Sequence, residues 1–230
     1  MRRYLALLPL VALPAAVPEA APLGGTVTGT VAVFDKGKPL PTDAWVYLVP
    51  VLPKGKKREA PRPTYVTISQ QNQTFVPNRV VIPVGSTVAF PNDEQINTEH
   101  NVFSPALFDL SRYGPKKSKS WQFPDPGDFD IYCDIHPQMT AKVKVIDSNL
   151  FAKASGGTFT IANVPAGTYK VIAWAPNSDE VKEGPVTVVD GSPTSTPPLK
   201  LQLGAEKTHK RLNGQPYCPG GYGKGVNCSK

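Results

Sequence analysis

The chain has 230 residues, a formal net charge of +7 and a composition rich in proline (26) and glycine (19). Its two ends, residues 1–22 and 205–230, carry seven of the 25 basic residues and two of the 18 acidic ones, so the middle is close to neutral. This excludes the strongly basic surface that is typical of nucleic-acid binding. No long stretch has a helical period, and the frequent Val, Thr, Pro and Gly predict short strands joined by turns.

The first 22 residues have the pattern of an export signal. Arg2 and Arg3 supply a positive start, and residues 4–17 are apolar but too short and proline-broken for a good membrane span. The small residues that follow do not fix a cleavage site, and an uncleaved amphipathic anchor is the alternative. We expect an exported protein, periplasmic or extracellular, with no membrane span after signal cleavage.

Two strands are predicted before a proline-rich stretch. Residues 25–34 alternate apolar and polar side chains, the pattern of a half-buried strand, and residues 44–49 form a second apolar run. Residues 50–63 hold four prolines among basic side chains. They predict a solvated linker, with a basic docking patch as the alternative.

A second group of strands follows between residues 65 and 146. Strands are predicted at 65–69, on either side of a turn within 75–92, and at 100–103, 121–123, 129–133 and 142–146. Residues 104–120, which include Lys116, Lys117 and Lys119, have no such pattern. They predict a long solvated loop, or a basic patch that steers a partner.

The segment from Cys133 to Met139, Cys-Asp-Ile-His-Pro-Gln-Met, places three possible metal ligands at every third residue. A thiolate, the imidazole of His136 and a thioether together suit copper, which accepts soft sulfur as well as imidazole. His100, directly after a polar loop, is a candidate for a further imidazole ligand. A Cys-x-x-His pair alone is a weak signal, and Met139 could instead be a packing residue.

The remaining cysteines and histidine lie in the C-terminal tail. Cys218 and Cys228 bracket a glycine-rich stretch and could pair in an oxidising compartment, which would leave Cys133 as the odd thiol. His209 lies among basic residues, and we expect a solvated side chain rather than a metal ligand.

Residues 64–147 resemble a small cupredoxin of the amicyanin and plastocyanin branch. The matching motifs are Phe75-x-Pro, Val84-Gly85, Val88-x-Phe90-x-Asn92, His100-Asn101-Val102, Pro126-Gly127, Tyr132-x-x-x-His136 and the ligand loop, whose two residues between His136 and Met139 are the amicyanin spacing. The resemblance implies one type 1 copper ion, with His100, Cys133 and His136 as equatorial ligands and Met139 as the weak axial ligand.

The same resemblance implies roles around the metal. Asn101 would brace the ligand loops, although it could be an ordinary turn asparagine. The ring edge of His136 would reach the surface through an apolar patch, for which Pro137 and Phe103 are candidates unless they are simply packed.

After residue 147 the pattern changes to a strand, turn and strand over residues 157–174, followed by strands at 183–189 and 199–203. The Gly-x-Phe-x-Ile and Pro-x-Gly-x-Tyr motifs there, with Val-x-Gly-x-Val near residue 27 and a Gly-x-Pro turn at 37–39, resemble the carboxypeptidase-regulatory-like or transthyretin-like β-sandwich. This resemblance suggests that residues 25–50 belong to that sandwich, although they could instead lengthen the cupredoxin sheet.

We therefore expect an all-β chain, a cupredoxin Greek-key β-sandwich inserted into or fused to a second small β-sandwich. The expected divisions are a signal peptide at 1–22, the first part of the second sandwich at 23–61, the cupredoxin domain at 62–149, the second part of that sandwich at 150–204 and a glycine-rich tail at 205–230.

Three functions are consistent with such a copper site: an exported single-electron carrier between a redox donor and an acceptor, a copper-binding or copper-delivery protein, and a copper enzyme. An axial methionine would close the site to substrate, which disfavours an enzyme. The chain has no methionine-rich or histidine-rich tract that would favour delivery. We expect an electron carrier whose redox partners the sequence does not name.

Overall fold

The computed structural model describes residues 24–205 and 209–217, and over these residues the chain is all-β, with no helix. The predicted fold class is thereby confirmed. The predicted signal peptide, Cys218 and Cys228 lie outside the described residues, so their roles stay predictions. None of the described segments is a helix long and apolar enough to cross a membrane.

The described residues form strands in the following order. The first ten are β1 (Gly25–Asp35), β2 (Lys38–Pro39), β3 (Trp45–Pro50), β4 (Tyr65–Thr67), β5 (Ser69–Gln71), β6 (Thr74–Val76), β7 (Arg79–Pro83), β8 (Thr87–Pro91), β9 (His100–Ser104) and β10 (Phe108–Tyr113). The others are β11 (Ser118–Gln122), β12 (Gly127–Tyr132), β13 (Thr140–Ile146), β14 (Phe151–Lys153), β15 (Thr158–Val164), β16 (Gly167–Trp174), β17 (Val181–Val188), β18 (Pro193–Ser195) and β19 (Leu199–Gln202).

One sandwich, called the outer sandwich, is built from strands near both ends of the chain. In its first sheet β1 pairs with β2, β15, β18 and β19, and the second sheet has the order β14-β3-β16-β17. Alternation along β1 turns Val27, Val31 and Val33 inward, where they pack with side chains from β3, β15, β16, β17 and β19. Both β1 and β3 pair with strands of this unit rather than with those of residues 65–146.

A second sandwich, called the inner sandwich, is formed by strands that lie between these two parts of the sequence. One sheet has the order β10-β9-β12-β13-β7, and a smaller sheet has the order β11-β8-β4. The core between them holds many aromatic side chains, and Cys133 and Met139 belong to it. The tight turn between β7 and β8 uses Gly85 at φ 82°, which L side chains rarely adopt.

The structure corrects the prediction for residues 104–120, which do not form one long solvated loop. Strand β10 pairs with β9, and β11 begins at Ser118. The pairing is irregular between Asp109 and Arg112, where Ser111 has a positive φ of 57°. Such a bulge breaks the period-two alternation, which is why the strand was not visible in the sequence.

The two sandwiches contact each other through an apolar cluster to which both contribute. On β13, Val143 and Val145 face the aromatic core, while Ile146 on the opposite face packs against Trp45 and Trp174 of the other sandwich. Tyr47, Val81 and Ile172 complete this apolar contact. Strand β13 is therefore covered on both faces.

A polar network crosses the same contact. The buried ammonium of Lys144 lies 2.8 Å from a carboxylate oxygen of Asp128 and 2.8 Å from one of Glu180 in the other sandwich. The hydroxyl of Tyr47 donates a hydrogen bond to Glu180. Burial, and then this bond, raises the pKa of Tyr47, so the hydroxyl keeps its proton.

The chain enters and leaves the inner sandwich at neighbouring points. The backbone N–H of Arg62 donates to the side-chain oxygen of Asn149 at 2.7 Å, and Arg58 pairs with Asp147. Residues 51–64 contain no strand, as the sequence predicted. The domain boundaries at 61/62 and 149/150 fall at this point and stay a prediction.

Candidate metal centre

His100 is the first residue of β9 and is fully buried. Its Nδ1 lies 3.0 Å from Nδ1 of His136, and its Nε2 lies 2.9 Å from a carboxylate oxygen of Glu94. Since a carboxylate only accepts hydrogen bonds, the Nε2 of His100 donates. In the neutral ring this leaves the Nδ1 lone pair directed toward His136.

Residues 133–139 form the loop that joins β12 to β13. The N–H of Cys133 donates to the carbonyl of Met139 at 3.2 Å, and the N–H of Met139 donates to the carbonyl of His136 at 3.0 Å. Tyr132 and Thr140, on either side of the loop, are paired across the hairpin. The loop is thus folded back on itself, so its first, fourth and seventh residues are held close together.

The loop and β9 bring three ligand atoms together. One ligand atom each from His100, Cys133 and His136 lies within 4.8 Å of the others, and the sulfur of Cys133 is 3.8 Å from Nδ1 of His136. Nitrogens about 2.0 Å, and a thiolate sulfur about 2.3 Å, from one ion would be at most about 4.0 and 4.3 Å apart. The separations of 3.0 Å from His100 to His136 and 3.8 Å from Cys133 to His136 lie inside these limits, and the third pair, His100 and Cys133, lies within 4.8 Å.

Met139 is fully buried and packs in the same core as Cys133. The backbone bonds of the loop place it beside Cys133 and His136. The four predicted ligands thus lie in one region of the fold, and their assignment as ligands stays a prediction.

Burial governs the ionisation of the metal-free centre. It raises the pKa of the Cys133 thiol and, together with the neighbouring His100, lowers the pKa of His136. Desolvation alone would raise the pKa of Glu94, but hydrogen bonds from the backbone of Gln73 and from His100 outweigh it and the pKa is lowered. In the metal-free protein burial therefore favours the neutral thiol of Cys133 and the neutral ring of His136, and the lowered pKa favours an ionised Glu94 beside His100.

Asn101 connects β9 to the ligand loop. Its side-chain oxygen accepts a hydrogen bond from the N–H of Asp134, and its side-chain N–H donates to Asp109 at 3.2 Å. These bonds tie β9 to the ligand loop, and the bracing role that the resemblance implied for Asn101 stays a prediction. Glu94 was not singled out from the sequence, because it lies six residues before His100 in an irregular loop and nothing in that spacing predicts contact.

The structure decides one alternative that the sequence left open, since Phe103 is packed, and it corrects the expectation for His209. Phe103 is 1% exposed and packs against Tyr132 at a ring distance of 5.8 Å, so it cannot form a surface patch, whereas Pro137 is half-buried. His209 is not a solvated residue. Its ring stacks on Tyr132 at 4.1 Å, and its Nε2 donates to the carbonyl of Pro137 at 2.9 Å.

Comparison with known proteins gives partial matches. A family model described as polysaccharide lyase family 4, domain II, matches residues 150–196. It differs from the carboxypeptidase-regulatory-like family that residues 157–174 resemble in sequence. No curated protein matches the chain.

Similar solved structures include cupredoxins and a copper-containing nitrite reductase. A purple cupredoxin from Nitrosopumilus maritimus is 24% identical over 35% of this chain and 99% of its own, with a TM-score of 0.33. A copper-containing nitrite reductase from Thermus scotoductus is 27% identical over 43% of this chain and 25% of its own, with a TM-score of 0.34. A reduced Cu(I) amicyanin variant is 19% identical over 44% and 98%, with a TM-score of 0.32. These scores are low, so the assignment of a metal rests on the residues themselves.

Proposed function

We propose that this protein binds one type 1 copper ion through His100, Cys133 and His136, with Met139 as the axial ligand. We further propose that it carries single electrons between two redox proteins and is not an enzyme. The observation that supports this best is the approach of three ligand atoms within 4.8 Å of one another, on elements held by hydrogen bonds before any metal binds.

The donor set supports copper over other metals. Two imidazoles and a thiolate with a weak thioether form the ligand set of copper electron-transfer sites, and the axial ligand tunes the potential. Bound copper would supply a one-electron couple between Cu(I) and Cu(II). The protein's own part is to hold the ligands in one arrangement and to keep solvent from Cys133, which is fully buried.

The rigidity of the surroundings favours electron transfer over copper delivery. Release of the metal requires the ligands to separate, yet His100 is hydrogen-bonded to Glu94 and the loop is tied to Asn101. Cys133 and Met139 are core residues, so opening the loop would also expose apolar surface. Such a site suits a metal that stays bound through many electron transfers.

We propose export to the periplasm or the extracellular space, on the basis of the basic start and short apolar run within residues 1–22. We also propose that residues 23–61 and 150–204 form one domain that surrounds a copper domain at 62–149. Separate apolar cores in the two sandwiches support this division. The outer sandwich would act as a scaffold or a docking surface.

Two measurements on copper-loaded full-length protein test the proposal. The first is the visible absorption spectrum with metal analysis, for which we expect an intense thiolate band at one copper per chain. The second compares electron self-exchange with copper transfer to a strong Cu(I) chelator. Fast electron self-exchange with slow copper transfer to the chelator supports an electron carrier. Slow exchange with rapid copper loss would instead identify a delivery protein, and absence of the band would remove the type 1 assignment.

A further inference from the structure

The segment from His209 to Tyr217 packs against the outside of the loop that carries Cys133, His136 and Met139. The hydroxyl of Tyr217 donates to the carbonyl of Cys133 at 2.7 Å. The Nε2 of His209 donates to the carbonyl of Pro137 at 2.9 Å. Two carbonyls of the ligand loop, one at each side of His136, are therefore held by side chains that follow it by more than 70 residues.

Asp134, between these two carbonyls, is held at both carboxylate oxygens. The backbone N–H of Leu212 donates to one oxygen at 2.9 Å, and the guanidinium of Arg211 lies 3.1 Å from the other. The side chains of Arg211 and Asp134 are 19% and 14% exposed. Charge-assisted bonds in such a shielded place are stronger than those at an open surface.

Ring contacts fix the segment to the strand that precedes the loop. The His209 ring lies 4.1 Å from the Tyr132 ring at an interplanar angle of 8°, and the Tyr217 ring meets His209 edge-on at 5.0 Å. Tyr132 is the last residue of β12 and directly precedes Cys133. The aromatic contacts thus position the segment where its donors reach the loop.

We propose that residues 209–217 form a clamp that holds the ligand loop in its metal-binding geometry, with His209, Arg211 and Tyr217 as positioning residues. The proposal rests on the copper site proposed above. Asn101 holds Asp134 from β9 through its backbone, and the clamp holds the same residue from the outside through its carboxylate. The loop is tied both to β9 and to the C-terminal segment, which would keep His136 and Met139 in position relative to Cys133.

The test uses Tyr217→Phe, which removes one hydroxyl donor, and a chain that ends at residue 208, which removes the whole clamp. Tyr65→Phe, at an exposed strand residue outside the site, is the matched control. In metal-free protein we expect faster amide hydrogen exchange at Cys133, Asp134 and Met139, largest in the shortened chain. Loss of one hydrogen bond corresponds to roughly a two- to tenfold increase in the exchange rate.

In copper-loaded protein the same variants should release copper to a Cu(I) chelator roughly two- to tenfold faster and should shift the visible band, while Tyr65→Phe should match the wild type. Unchanged exchange at the loop amides of the shortened chain would overturn the clamp. Faster amide exchange with unchanged copper release and spectrum would overturn its role in positioning the ligands. Should the wild type bind no copper, the exchange measurement still decides whether the clamp holds the loop.

Discussion

Glu94 accepts a hydrogen bond from Nε2 of His100 at 2.9 Å, in a place where the Glu94 side chain is 6% exposed and the His100 side chain is fully buried. This bond sets which ring nitrogen of His100 carries the proton. It leaves Nδ1 free to act as a ligand and fixes the plane of the ring. Such partners of metal-binding histidines commonly contribute about 10- to 100-fold to metal affinity.

We therefore predict that Glu94→Ala weakens copper binding by about 10- to 100-fold, measured by competition with a copper chelator. Glu94→Gln should lose less, because its side-chain oxygen can still accept from Nε2. Glu99→Gln, at an exposed carboxylate next to His100 in sequence, is the control and should bind like the wild type. Equal affinities for Glu94→Ala and the control would contradict the role given to Glu94.

Cys133→Ser should abolish the strong visible colour of the copper protein, because that band requires a copper–thiolate bond. The double variant Cys218→Ser with Cys228→Ser is the control and should remain coloured. Visible absorption spectra of the two copper-loaded proteins test whether Cys133 supplies the thiolate. A coloured Cys133→Ser protein would show that another sulfur binds the metal.

Met139→Gln should retain copper and lower the reduction potential, since a harder oxygen donor favours Cu(II) over Cu(I). Met139→Leu, which fills the same buried space without a donor, should raise it. Each tenfold change in the ratio of the two copper affinities corresponds to about 59 mV. Potentiometric titration measures both shifts, and equal potentials in the three proteins would exclude Met139 as an axial ligand.

Glu180→Gln should destabilise the fold by about 1–3 kcal/mol at pH 7, because it removes a charged partner from the buried Lys144 and from Tyr47. Burial alone would raise the pKa of Glu180, but the bonds from Lys144 and Tyr47 outweigh it and the pKa lies below 4.5. The ionised group therefore stabilises the folded state above that pH. The contribution is lost as the pH falls through the lowered pKa.

Urea unfolding of the metal-free proteins at several pH values measures this difference. The difference in free energy of unfolding between the wild type and Glu180→Gln should be largest near neutral pH and should shrink below pH 4.5. Asp190→Asn, at an exposed carboxylate, should show little change. A difference in free energy of unfolding that grew as the pH fell would contradict the prediction that ionised Glu180 stabilises the folded state.

Removal of residues 62–149, with a short Gly/Ser linker between the ends, should leave a folded outer sandwich. The hydrogen bond between Arg62 and Asn149 shows that the two ends lie close together, as tolerated excisions require. Trp45 and Trp174 lose the cover of Val81 and Ile146, so their emission should shift to the red.

The reference for that emission is full-length Trp121→Phe, which keeps the same two other tryptophans as the shortened chain. Circular dichroism should show a β-sheet spectrum for the shortened chain and, separately, for residues 62–149. If neither piece folds alone, the two sandwiches are a single cooperative unit.

The sequence was most informative where local pattern and local spacing determine the structure. Alternation predicted the core face of β1 and of β13, and the three-residue spacing of Cys133, His136 and Met139 predicted that they share one loop. Both signals depend only on neighbouring residues. This is why the all-β fold class and the grouping of the predicted ligands were accessible without a structure.

Contacts between segments that are distant in the sequence could not be predicted from it. His209 has basic neighbours in sequence, which suggested solvent, but its ring is covered by Tyr132 from 77 positions earlier. The partner of His100 was missed for the same reason, since Glu94 reaches it through an irregular loop. Strand β10 was hidden by its bulge at Ser111, which interrupts the alternation that a period search detects.

The burial of β13 on both faces fixes more than the contact between the sandwiches. A shift of the strand by one residue would exchange Val143 and Val145 for Lys142 and Lys144, placing ammonium groups in the aromatic core and a valine against Asp128 and Glu180. Both exchanges are unfavourable, so the aromatic core on one face and the contact with the other sandwich on the opposite face each specify the register of β13. Because Met139 directly precedes the strand, a slip would also move it along the chain direction by about 3.3 Å. The packing between the two sandwiches thus sets the position of Met139 along the chain direction relative to the cluster of His100, Cys133 and His136.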